Sequence, residues 1–131
     1  LCEIDWTEIF DVDSTFATAV NCMDGRVQES VTAFTRREFG VDYVDMVTEA
    51  GVVASISEGV RRHVAISVQA HDSKGVVVAA HPGCAGNPIS DEEQKVQCVQ
   101  AAALIASEHP GLSVIPVWAR LDGAVEVLLT P

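Results

Sequence analysis

A chain of 131 residues, 48% apolar and 21% charged, is long enough for one domain with its own core. Its 8 Lys and Arg against 19 Asp and Glu leave a net charge of −11, which weighs against nucleic acid and anionic membrane as partners, since both need a basic surface. The apolar runs are far too short to span a bilayer and no secretion signal is visible, so a cytoplasmic location is expected.

The first dozen residues, "LCEIDWTEIFDV", are ambiguous, and residues 1–13 are read as an N-terminal arm that docks on this domain or on a second copy. Phe16 to Cys22 reads as the first strand, broken by Gly25. Val27, Val31 and Phe34 then recur at helical spacing, and "TRREFG" closes that helix with basic residues and Gly40. Val41 to Val47 alternates as a second strand. "SISE" (Ser55 to Glu58) has the spacing of a capping box, and Val60, Val64 and Val68 share one face of the helix after it. Gly75 to Ala80 is a continuous apolar run, expected of a strand covered on both faces. "SDEE" (Ser90 to Glu93) is a second capping box, and its acids suit the first turn of a helix striped by Val96, Val99, Ala103 and Ala106. "HPG" (His109 to Gly111) ends that helix. Leu112 to Trp118 is the fourth strand, and the Asp-Gly turn in "LDGAV" returns Val125 to Leu129 as an antiparallel edge.

Strands alternating with helices predict an α/β fold, a doubly wound three-layer α/β/α domain over residues 1–131. Right-handed crossovers give a mostly parallel sheet of order 2-1-3-4 with the antiparallel strand 5 at its edge. The loops after strands 1 and 3 then diverge to opposite faces, at the switch point where open α/β sheets bind ligands. Two polar clusters fall there: "NCMDGR" (residues 21–26) and "HPGCAGN" (residues 81–87).

Neighbouring strands lie about 4.8 Å apart, so Cys22 can face His81 and Cys84 across one crevice. Two thiolates and an imidazole form a soft set that suits Zn2+ and leaves a fourth tetrahedral position for water or substrate. The competing readings are core cysteines or a disulfide between them. Cys98, inside a helical pattern, reads as a buried apolar residue, and Cys2 is uninformative. Asp24 and Arg26 follow Cys22 at alternate positions. A guanidinium there can hold the carboxylate ionised through two parallel hydrogen bonds. The carboxylate then either accepts a hydrogen bond from metal-bound water or binds the metal as a fourth ligand; a plain structural salt bridge is the other reading. His63 and His71 read as surface residues, and Asn87 as shaping a turn.

"CMDGR" and "HPGC" resemble the Cys-x-Asp-x-Arg and His-x-x-Cys motifs of the β-class carbonic anhydrases. The resemblance covers Phe16 to about Val127. It is closer still to a group of short carbonic-anhydrase-like proteins, with "NCMDGRVQ", "YVDMVTEAG" and "CAGNP" as the shared-looking stretches. It implies a zinc lyase with Cys22, His81 and Cys84 as metal ligands and Asp24 and Arg26 as the catalytic, orienting dyad. The reaction implied is hydration of carbon dioxide to bicarbonate by zinc-bound hydroxide. It also implies a homodimer or higher homo-oligomer with pocket walls contributed across the interface. The chain departs from the family in carrying "TEAGVV" (Thr48 to Val53) where an Arg-Asn-Ala-Gly-Asn-like segment is usual, and Gly25 where Ser is usual. The alternatives are a zinc hydrolase of a related small substrate such as carbonyl sulfide, a catalytically silent zinc protein closed by Asp24, and a metal-free flavodoxin-like module. The last lacks a phosphate-cradling loop after strand 1.

Overall fold

The computed structural model describes residues 14–128, so the proposed arm at 1–13, Cys2 and the predicted strand end at Leu129 lie outside the described residues. Five strands form one sheet in the order β2-β1-β3-β4-β5. They are β1 (Phe16–Asn21), β2 (Tyr43–Thr48), β3 (Val76–Ala80), β4 (Val114–Ala119) and β5 (Val125–Val127). All pairings are parallel except β4 with β5. The helices are α1 (Gln28–Phe39), α2 (Glu58–Ala70) and α3 (Asp91–Glu108), with a 3-10 turn at Val52–Ala54.

Each strand face meets a different helix layer. Val27, Val31 and Phe34 of the α1 side pack on Ala19, Val77, Val117 and Ala119. Val60 and Val64 of α2, with Cys98, Ala101, Ala102 and Ile105 of α3, pack on Val20, Val76, Val78, Ala80 and Trp118. Every residue of β3 is buried, as its unbroken apolar run predicts. Because β1 is followed by a helix on one face and β3 by a helix on the other, the loops leaving these neighbours open a crevice at their C-terminal ends.

Local signals at the helix ends are mostly those read from sequence. Ser90 caps α3, accepting from the Glu93 amide and donating to its carboxylate at 3.1 Å. Gly40 ends α1 in the left-handed region at φ 60. Two expectations are corrected. The cap of α2 is Ser57, whose Oγ accepts from the Val60 amide; Ser55 follows the 3-10 turn and is extended. The buried face of α3 is Gln94, Cys98, Ala101, Ala102 and Ile105, whereas Val96 is 58% exposed and Ala103 is exposed. Apolar residues surround this helix, and the polar Gln94 interrupts its true inward stripe, so the pattern pointed to the wrong face. The second strand also begins at Tyr43, because Val41 still bonds back to Arg36 across the helix end. His71 is exposed yet engaged: its Nδ1 lies 2.6 Å from Asp45 and its ring stacks on Phe16.

Cys98 is buried as expected, with its thiol directed at the Val78 carbonyl at 3.2 Å. Burial pushes that thiol up to about 12. In the folded chain it keeps its proton while the unfolded thiol ionises from about pH 9 upward, so its contribution to stability falls as pH rises through that window. We expect native Cys98 to resist thiol reagents at mildly alkaline pH and to react only after unfolding. Denaturant midpoints below and above pH 9 should converge in Cys98→Ala relative to the parent; an unchanged difference would contradict this account.

Candidate metal centre

Cys22 is the first residue beyond β1 and His81 the first beyond β3, so the paired strands bring both loops to one place. The Sγ atoms of Cys22 and Cys84 and a ring nitrogen of His81 all lie within 4.8 Å of one another. The three residues are 6%, 4% and 2% exposed, in the order Cys22, Cys84, His81. Both cysteines are free, with their sulfurs 3.8 Å apart. A disulfide needs about 2.05 Å. Two thiolates at zinc distances of about 2.3 Å from a shared tetrahedral centre would be about 3.8 Å apart.

The imidazole is set in one tautomer. His81 Nδ1 is 2.9 Å from the Pro82 carbonyl, which can only accept, so Nδ1 carries the proton. Nε2 is then left with its lone pair, buried and without a hydrogen-bond partner among the described residues. An orphaned buried acceptor is costly unless something else binds it. With two free cysteine sulfurs beside it, a soft divalent cation fits, and zinc suits the nitrogen and sulfur set.

Backbone amides support the sulfurs. Gly51 N–H donates to Cys22 Sγ at 3.4 Å. Burial raises Cys84, reinforced by its hydrogen bond to Cys22, while the amides of Gly86 and Asn87 oppose the rise. A metal-free site therefore holds Cys84 as a thiol, and loading a cation displaces that proton.

Asp24 and Arg26 pair as their alternation suggested. Arg26 Nη2 reaches Asp24 Oδ2 at 2.6 Å, Nε reaches Oδ1 at 3.0 Å, and the Arg26 backbone amide also donates to Oδ1 at 2.9 Å. The Arg26 side chain, then its amide, holds the Asp24 carboxyl well below the usual carboxylate range, against a smaller opposing effect of burial. The carboxylate stands apart from the group of three, with Oδ2 at 3.9 Å from His81 Nδ1. Arg26 Nη2 also reaches the Gly83 carbonyl at 3.3 Å, tying the first loop to the second.

Several residues of the site carried no site signal in the sequence. Gln28 donates to the carbonyls of Cys22 and Asp24, and Gln94 to that of His81. Gly51 and Gly86 meet backbone to backbone, so "TEAGVV" supplies the amide on Cys22. Asn87 is buried and bonds through Nδ2 to Gln97.

A family model described as "Putative carbonic anhydrase" matches residues 12–129. Among curated proteins no sequence match is found. Solved structures share the fold at low identity. A carbonic anhydrase from Streptococcus mutans aligns with TM-score 0.64 and 17% identity over 95% of this chain and 91% of that one. A β-carbonic anhydrase of the ascomycete Sordaria macrospora, one of two described as tetrameric, gives 0.64 and 14% over 96% and 88%. The apo form of a carbon disulfide hydrolase gives 0.64 and 12% over 95% and 84%.

Proposed function

The chain belongs to this carbonic anhydrase family, and from that premise we propose that it is a zinc lyase that hydrates carbon dioxide to bicarbonate. Cys22, His81 and Cys84 would hold the metal, and Asp24 and Arg26 would form the orienting dyad. The observation that carries the reading is the buried, unpaired Nε2 of His81 in a group with two free thiols. A zinc ion held by these three residues would supply water acidified toward neutral pH, hence a nucleophile for an electrophilic carbon.

The chain's own groups fit the rest. Asp24, ionised and gripped by Arg26, can only accept hydrogen bonds, so it orients a donor beside the centre. Both of its oxygens are already engaged by Arg26, which favours this role over that of a fourth ligand. The bridge from Arg26 to Gly83 makes dyad and ligand loop move together. A net charge of −11 opposes the approach of anionic substrates and leaves an uncharged one unaffected. The tetrameric Sordaria relatives favour self-association, as a homodimer or larger. Among the described residues no helix is long and apolar enough to cross a membrane.

The carbon disulfide hydrolase shares the fold at the same TM-score as the carbonic anhydrases, which favours one second reading, a zinc hydrolase of carbonyl sulfide or carbon disulfide. Purified protein is expected to carry one zinc per chain and to hydrate carbon dioxide in stopped-flow assays at neutral to alkaline pH. Zinc with turnover of carbonyl sulfide alone would move the assignment to the second reading. Zinc without turnover of either would leave a silent metal protein, and absence of zinc after supplementation would overturn all three.

A further inference from the structure

We infer that Gln28 and Gln94 are positioning residues of the metal centre, each fixing one ligand-bearing loop through the backbone carbonyl of its ligand. The inference rests on the metal reading above. Sheet hydrogen bonding defines β1 to Asn21 and β3 to Ala80. Cys22 and His81 are therefore the first residues beyond their strands, where the ladder no longer fixes the chain. At both places a glutamine carboxamide takes over. Gln28 Nε2 donates to the Cys22 carbonyl at 2.7 Å, and Gln94 Nε2 donates to the His81 carbonyl at 2.9 Å.

Gln28 does more with the same group. Its second N–H reaches the Asp24 carbonyl at 2.7 Å, and its Oε1 accepts from Asn21 Nδ2 at 3.1 Å. The orientation of this amide is forced, because two carbonyls on one side can only accept and an amide nitrogen on the other donates. Both donors are spent, and the segment from Asn21 to Asp24 wraps around one side chain. Ligand and dyad carboxylate are thus set by a single group at the first position of α1. Gln94 is 1% exposed in the first turns of α3, a helix on the opposite face of the sheet from α1. The two helices pin the crevice from both sides. Neither carboxamide is in the group of candidate ligands; each acts through a backbone carbonyl.

The test uses Gln28→Met and Gln94→Met, which keep length and remove the donors, with the exposed Gln100→Met as control. Three readouts are taken: zinc affinity by chelator competition, the absorption spectrum of the cobalt(II)-loaded protein, and the Tm of the metal-free protein. Each site variant is expected to bind zinc about 10–100-fold more weakly, with a changed cobalt ligand-field spectrum, while the control matches the parent. A purely structural role would lower the metal-free Tm and leave affinity and spectrum unchanged in the folded protein. That outcome overturns the inference while leaving the metal reading intact. A parent that takes up neither zinc nor cobalt overturns both. Should a Met variant not fold, Gln28→Leu and Gln94→Leu remove the donors with a branched apolar side chain. Parent-like affinity and spectrum in those would equally overturn the inference.

Discussion

On the proposed zinc-lyase reading, Cys84→Ser is expected to remove the zinc from the purified protein and abolish hydration, whereas Cys98→Ser keeps both. The two substitutions make the same chemical change at two buried thiols, which are 4% and 0% exposed. They differ in company. Cys84 lies 3.8 Å from Cys22 and groups with His81, while Cys98 sits in α3 with its thiol on the carbonyls of Val78 and Val117. A serine hydroxyl stays protonated and is a poor ligand for a borderline-soft cation. Structural zinc sites bind with about 10–16 kcal/mol from four ligands, so losing one of so few is expected to cost about 3 kcal/mol or more, two orders of magnitude in affinity. The metal-free Cys84→Ser chain should keep its fold, since the hydroxyl is no larger and the amides of Gly86 and Asn87 remain as donors. At Cys98 the hydroxyl can still donate to Val78, so stability falls modestly while metal content does not. Metal analysis with a chelator titration of both variants decides. Full zinc in Cys84→Ser, or loss in both, would remove the case for this site.

What could be read in the sequence was whatever local chemistry determines. Alternation of apolar runs gave the order of strands, right-handed crossovers placed β1 beside β3, and the ends of those strands brought "NCMDGR" and "HPGCAGN" together. The alternation of Asp24 and Arg26 sufficed to predict their pairing. What escaped depends on contacts between distant segments. Apolar spacing assigns the stripe of α3 to Val96, Val99, Ala103 and Ala106, whereas the inward face carries the polar Gln94, bound to the His81 carbonyl. Ser55 matched a capping box by spacing, but the 3-10 turn at Val52–Ala54 uses up the preceding chain and leaves Ser57 at the start of α2. The glutamine bonds to Cys22, Asp24 and His81 run from side chain to backbone and leave no periodic trace. Gly51 and Gly86 carry no mark in the sequence that sets them apart, because their meeting depends on how two loops pack.

That meeting leads to the second large effect: Gly86→Ala is expected to destabilise the metal-free protein by about 1–3 kcal/mol and, on the proposed zinc reading, to weaken zinc binding at least tenfold. A Cβ on Gly86 would lie 2.8 Å from the Gly51 nitrogen and 2.9 Å from the Ala50 carbonyl carbon. These are backbone atoms with no rotamer to yield, so the two loops must separate, at the usual cost of overpacking, about 1–3 kcal/mol. The contact is reciprocal, since a Cβ on Gly51 would lie 2.5 Å from the Gly86 oxygen, and Gly51 also sits at φ +61. Separation pulls the Gly51 amide from Cys22 Sγ, now at 3.4 Å, and shifts the amides of Gly86 and Asn87 beside Cys84. Disturbing such supporting donors typically costs about 10–100-fold in metal affinity. Gly59→Ala is the matched control. Its nearest neighbour would be Ser57 Oγ at 3.8 Å, and in α2 the change should leave stability equal or slightly higher. Thermal melts of the metal-free proteins and zinc competition should therefore separate the two alanines. If Gly86→Ala behaves like Gly59→Ala in both, the apposition of the two loops does not hold the sulfurs in place.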